Sequence, residues 1–413
     1  MARPLESVFP RRLGTNFRWL VSSSWATNLG DGMGIAAGPL LVESLTDDPL
    51  LVGLAWLVGR LPALFFGLHA GVAADRFDRR RLLIVANLAR AGVIAVLAIT
   101  IATDAVGIGL VLAALFVLGV AETLADTTSH TLLPMIVRPG DLTTGNTRLM
   151  FGFIGLDQLV GPSIGAILFA VGASVPFFGQ AVVLAFGVVL ASRLRLGPVT
   201  APDPTATTVR REIAAGLRWL WGHAAIRTLA ITVAVFNLTF GAAFSVLVVL
   251  ATERLGLGEV GFGVLTSISA LGGILGTVVY HRVEARIGMA AIMRIGLVIE
   301  ASTHLVFATA TTAWPAMVAM FCFGVHASMW GTTAATIRQA SVPEHLQGRI
   351  TAVYGVGLKG GLVIGAAAGA VLAQVGGITA PYWFAFVGST ITLVLIWRSL
   401  AHIARSSGVG SVE

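Results

Sequence analysis

Asp31 stands in Asn28-Leu29-Gly30-Asp31-Gly32-Met33-Gly34, near the middle of the first long apolar run. An ionisable side chain in such a run is costly in a bilayer and faces a partner or a water-filled space. Arg60 falls at a similar depth in the second run, which makes the two a candidate pair. Their chemistry is either a static salt bridge between helices or a proton site whose affinity responds to the arginine and to a substrate. A second group lies further along. Glu122 and Asp126, four residues apart, share a helical face, and Arg90 and Asp157 reach comparable depths in the neighbouring runs. Three acids around one arginine cannot all stay charged in a dry interior without cost. Water enters or one acid is protonated, so this group reads as a structural network at a gate or as a proton relay. The second half of the chain carries Glu300 and His304 on one helical face, His326 in the next run, and Lys359 within Gly355-Val356-Gly357-Leu358-Lys359-Gly360-Gly361. A histidine inside a membrane packs and hydrogen-bonds, or it titrates. Lys359 needs a counter-charge or water, facing a substrate or bridging the two halves.

The elements that position these groups are membrane helices. The chain has 413 residues, 56% hydrophobic and 11% charged, with mean hydropathy +0.88. Repeated apolar stretches of about 20 residues in such a chain mean transmembrane spans. Twelve are expected, at 17–43, 50–73, 82–103, 106–134, 146–171, 175–195, 225–252, 258–280, 289–310, 314–338, 350–374 and 380–400. The formal charge of +7 does not point to nucleic acid, because the basic residues cluster at span ends and act as topology determinants. All but one of the 27 basic residues are arginines, Lys359 being the exception. With Arg3, Arg11, Arg12 and Arg18 ahead of the first run, the expectation is an uncleaved first span and both termini in the cytoplasm of a cell (inner) membrane. Residues 196–224 break the pattern: Pro198, Pro202 and Pro204 precede a segment with Ile213, Leu217, Leu220 and Trp221 on one face and arginines on the other. This reads as an amphipathic interfacial helix linking a six-helix bundle at 1–195 to another at 225–413. The halves are duplicated in order: Asn28 recurs as Asn237, Val52-Gly53 as Val260-Gly261, Arg90 as Arg294, Glu122 as His326, and Gly161 and Gly165 as Gly365 and Gly369.

Between the second and third spans lies Gly71-Val72-Ala73-Ala74-Asp75-Arg76-Phe77-Asp78-Arg79-Arg80-Arg81. Gly71, Asp75, Arg76, Arg79 and Arg80 resemble the loop motif Gly-x-x-x-Asp-Arg-x-x-Arg-Arg of the major facilitator superfamily. In that family the motif is a latch that favours the outward-open state. Gly161-Pro162-Ser163-Ile164-Gly165 resembles the fifth-span motif of its drug/proton antiporters, with Asp157 and Ala166 in place of two of the motif's glycines. Asn28–Gly32, Gly59–Pro62 and Asp75–Arg80 are similar to the macrolide-efflux and enterobactin-exporter-like branch. The fourth span departs from the antiporter pattern: the arginine usual there has no counterpart, and Glu122 and Asp126 occupy the region.

The resemblance implies an all-α membrane protein of two pseudo-symmetric six-helix bundles, working as a monomeric secondary transporter by alternating access. Proton-coupled export of an amphipathic small molecule (a drug, siderophore or secondary metabolite) is the expected activity. A lysophospholipid or nutrient transporter of the same fold is the alternative, with a membrane-embedded enzyme or receptor further off. Proton coupling is expected at Asp31, Arg60, Arg90, Glu122, Asp126 and Asp157. The substrate cavity is expected at Asp31, Phe236, Phe240, Phe244, His326, Trp330 and Lys359. No cofactor, catalytic group or metal is expected. The sequence holds no Walker A motif, no His-Glu-x-x-His and no nucleophile elbow on a soluble domain, and a single cysteine, Cys322.

Overall fold

The structure is a computed structural model and describes residues 11–195, 209–343 and 346–406. Among these residues the regular structure is all helical. The first half comprises α1 (Gly14–Leu45), α2 (Pro49–Phe65), α3 (Gly67–Arg76), α4 (Arg79–Ala102), α5 (Ile108–Ile136), α6 (Leu142–Gly152), a π-helical segment (Phe153–Val160), α7 (Gly161–Val171) and α8 (Val175–Ala191). The second half comprises α9 (Val209–Gly222), α10 (Ala224–Phe244), a helical turn (Leu247–Val249) running into a second π-helical segment (Leu250–Arg254), α11 (Glu259–Thr309), α12 (Ala313–Ser341), α13 (Gln347–Gly376) and α14 (Ala380–Ser406).

These helices supply twelve crossings once their interruptions are followed. α2 and α3 form one crossing, broken at Phe66 just beyond Pro62, whose ring forbids one backbone bond of a regular helix. α6, the π-helical segment and α7 form another. The 51-residue α11 is two crossings joined at Gly288, where φ is +75°. Only glycine enters that backbone region without a Cβ penalty, so the eighth and ninth spans meet at a one-residue turn. Residues 276–286, between the eighth span and that turn, are helical. The basic stretch between the second and third spans is tighter than a loop as well: α3 runs through Arg76, and only Phe77 and Asp78 separate it from α4.

The chain divides into two compact units. One holds residues 1–47, 58–203 and 258–267; the other holds 48–57, 204–257 and 268–413. The division follows the two halves except for two exchanged segments. In the first unit α1 packs on α7 and α8, and α4 on α5 and α8. In the second, α10 packs on α13 and α14. The duplicated glycines do the same work in both. A Cβ on Gly165 would strike the Met33 carbonyl of α1, and one on Gly369 would strike the backbone of Ala242 in α10. Such small residues let membrane helices approach backbone to backbone. Of the linker, Pro198, Pro202 and Pro204 lie outside the described residues, as does the side chain of Ile213. α9 itself is helical, with Leu220 buried against Ile226, Val342 and Ile350 and with Leu217 and Trp221 exposed.

Candidate functional site

In the first unit the acid and base side chains converge on Asp31. α1 carries Asp31 between two glycines, and Gly32 lies against α7: a Cβ on Gly161 would sit 2.5 Å from the Gly32 Cα. The close approach puts Asp31 beside the π-helical segment that bears Asp157. A π-segment widens the helix by one residue per turn and re-aims its side chains. Here it buries Asp157, whose Oδ2 accepts a hydrogen bond from the Gln158 amide.

Arg90 of α4 donates to Asp31 Oδ1 through Nη2 and to Asn87 Oδ1 through Nη1 at 2.9 Å. Arg90 is 3% exposed, whereas the Asp31 side chain keeps 19%. The sequence offered Arg60 as a candidate partner of Asp31; the structure places Arg90 on its carboxylate. The reason is geometric, because Asn87, one helical turn before Arg90, fixes the guanidinium in the orientation that reaches α1. Arg60 lies within electrostatic reach of Glu122. Asp31, Glu122 and Asp126 all act on Arg90, and the same three acids act on Asp157. The two groups separated in sequence are one electrostatic cluster of two arginines and four acids, within one unit.

At the basic turn, Asp78 caps α4 by accepting from the Arg81 amide at 2.8 Å. Arg79 donates to the Ala74 carbonyl at 2.9 Å and contacts Met135 Sδ of α5 at 2.9 Å. Arg80 donates to the Ser192 carbonyl beyond α8. The turn therefore ties α3, α5 and the end of α8 together. Gly71 lies in α3, and among the described residues nothing stands within 4 Å of where its Cβ would be. Arg76 is exposed. Asp75 lies in the last turn of α3, and its side chain is outside the described residues.

The second unit contains a cavity of about 460 Å³ lined by Phe236, Phe240, Phe323 and Trp330, with Glu300 and His326 in its wall. Phe236 lies 5.3 Å from Trp330, and Phe240 stacks 5.5 Å from Phe323, between ring centroids. Such pairs are worth roughly 0.5–1.5 kcal/mol beyond area burial. Phe244 stacks on Phe240 at 3.9 Å and stands outside the described lining. Lys359 is exposed and likewise outside it, and Asp31 belongs to the other unit. Glu300 bridges two histidines: Oε1 meets His304 Nε2 and Oε2 meets His326 Nε2, both at 3.2 Å. The sequence set Glu300 and His304 on one helical face, four residues apart, but nothing in sequence brings His326 onto the same carboxylate. The duplication, which sets Arg294 opposite Arg90, does not carry over in chemistry: Arg294 lies over the Trp397 ring at 5.0 Å.

Residues 8–406 match the family model described as transmembrane secretion effector. The chain belongs to that family of the major facilitator superfamily. Among its relatives, the multidrug efflux pump Tap of Mycolicibacterium fortuitum is 30% identical over 79% of this chain and 81% of the relative. The staphyloferrin A transporter of Staphylococcus aureus is 24% identical over 66% of this chain and 68% of the relative. Among solved structures, a bacterial homologue of the iron transporter ferroportin in its inward-facing state superposes with a TM-score of 0.73 at 17% identity. It covers 94% of this chain and 98% of its own. The nucleoside transporter NupG superposes at 0.72 with 13% identity, covering 94% of this chain and 99% of its own. The fold is the major facilitator fold, and the family member is a multi-pass membrane transporter of small molecules, not an enzyme.

Proposed function

We propose that this transporter exports an amphipathic small molecule in exchange for protons, and that the Asp31–Arg90 pair is the coupling switch. The observation that carries the reading is this pair. Its arginine is buried, its carboxylate is partly accessible, and Glu122, Asp126 and Asp157 stand within electrostatic reach. An ion pair in a low-dielectric interior is held by good geometry and falls apart at high cost when one partner leaves. A carboxylate that shares its arginine with other acids can be released at lower cost, because the arginine keeps a counter-charge. Released Asp31 then takes up a proton, and its return to Arg90 expels it. The relatives named multidrug efflux pump Tap and staphyloferrin A transporter support a small-molecule cargo. The aromatic cavity of the second unit supplies apolar contact area of the kind such cargo needs. The cell membrane, cytoplasmic termini and a monomeric working state complete the proposal.

The test is flux in proteoliposomes with an imposed proton gradient, using a fluorescent amphipathic dye as the probe. Gradient-driven movement of dye against its concentration, abolished by a protonophore, is expected. Equal flux with and without the gradient removes the coupling, and conversion of the probe to a product points to an enzyme instead.

A further inference from the structure

The second unit contains a buried titratable cluster that the coupling scheme leaves unused. Glu300 is 3% exposed, His304 0% and His326 5%. Each carboxylate oxygen has its own imidazole Nε2 at hydrogen-bond distance. Both Nδ1 atoms are buried without a partner. His326 reaches its position because Gly296, on the helix that carries Glu300, has no Cβ: its ring occupies the space where one would stand.

The hydrogen-bond pattern admits a singly charged state of the cluster. Two Nε2 atoms donating to one carboxylate are satisfied by two neutral imidazoles protonated at Nε2, which leaves each Nδ1 as a bare lone pair. The cluster then carries one net negative charge. The charged and titratable groups facing it can be named. Its own helix brings His304, α12 brings His326 and Arg338, α13 brings Tyr354, and the α10 wall brings Phe236, Asn237 and Phe240, none of them charged. Arg338 lies about 18 Å further along α12 at ~1.5 Å per residue and stacks over the Tyr354 ring at 4.5 Å. It is too far to neutralise Glu300 by contact. An uncompensated buried charge costs several kcal/mol, and one added proton removes that cost.

Access is also built in. Glu300 and His326 line the cavity, and His304 does not. The Trp330 indole N–H, in the same wall, is buried without an acceptor. Among the described residues no group of three such side chains has the arrangement of a metal site.

We propose that Glu300, His304 and His326 form a second proton-binding site, loaded through the aromatic cavity and separate from Asp31–Arg90. The proton passes from cavity water to Glu300 or His326. It converts a carboxylate with two neutral imidazoles into the same carboxylate with one imidazolium, with no heavy-atom bond made or broken. His304, behind the carboxylate, is a positioning residue. The site stands on the geometry of the second unit alone; only its use in transport rests on the export reading.

The test uses the purified full-length transporter in detergent, with no substrate and no gradient. An acid pulse is read with a soluble pH dye and the protons bound per molecule are counted for wild type, Asp31→Asn and Glu300→Gln. Glu300→Gln is expected to bind one proton fewer than wild type, and Asp31→Asn to keep the Glu300-dependent proton. Equal uptake by Glu300→Gln and wild type overturns the site. A second measurement needs no folded variant of Glu300. In ¹⁵N-histidine-labelled wild type, the His326 imidazole, assigned by its loss in His326→Gln, is expected to become doubly protonated after the same acid pulse. Two rings that stay neutral throughout overturn the proposal. A failure of the export reading shows elsewhere, as dye flux indifferent to the gradient, and leaves both titrations unchanged.

Discussion

Asp31 and Arg90 illustrate how little a buried ion pair says until its neighbours are known. Removing one partner of an isolated buried pair costs roughly 3–5 kcal/mol, because the other charge is stranded. Here Glu122 and Asp126 also act on Arg90. We therefore expect Asp31→Asn to melt close to wild type, with a stability loss below that range, while gradient-driven accumulation is lost and downhill exchange is kept. Thermal unfolding in detergent and paired accumulation and exchange assays check this. A large drop in melting temperature would make Asp31 a structural residue. Arg90→Ala is the harsher change: it leaves four acids, of which Asp157 is buried, with Arg60 as the remaining arginine of the cluster. We expect poor folding or expression, partly restored when Asp31→Asn is added.

At the scale of elements, the first and fifth crossings are fitted to each other by absent side chains. Gly161 faces Gly32, and Gly165 faces the Met33 carbonyl. Gly161→Val places branched carbon where α1 runs, and overpacking of this kind costs typically about 1–3 kcal/mol. Because α1 also carries Asp31, the expected outcome is a lower melting temperature together with loss of coupled transport, measured in the same preparation. The turn between α3 and α4 predicts a milder effect. Asp78 supplies the side-chain cap of α4, and Asp78→Ala should cost about 1 kcal/mol without altering the proton count. Asp75→Asn belongs to a different argument: as part of the proposed latch, it should shift the distribution of spin-label distances at the cytoplasmic gate while leaving insertion normal.

For the whole molecule, the arginine pattern is what the proposed orientation in the membrane rests on. Connections expected outside hold almost no arginine, and those expected inside hold the clusters. In a Cys322→Ser background, Asp104→Cys is expected to label from the outside and Ala206→Cys only after the membrane is opened. Labelling of both from outside would remove the twelve-span orientation. The two units each include a short stretch from the other half of the sequence, 48–57 in one and 258–267 in the other. Within them Gly53 packs on Ala370, and the Ser163 and Ser267 hydroxyls meet at 3.0 Å. Bundle boundaries drawn from sequence at 195 and 225 could not include these exchanges, because they arise from contacts between segments far apart in the chain.

Hydropathy, arginine placement and repeated glycines were enough to read the fold, since membrane spans are fixed by length and by the need to satisfy every backbone group locally. The same local logic located the ionisable residues and the depth of each in its span. It could not choose their partners. Asp31 and Arg60 match in depth, yet Arg90 holds the carboxylate, because Asn87 and the α4 register aim it there. Glu300 and His304 share a face by sequence spacing, yet the third member comes from α12, through the gap left at Gly296. Span existence is a property of a stretch of chain; pairing between spans depends on helix rotation and close approach, which only the packed tertiary structure sets.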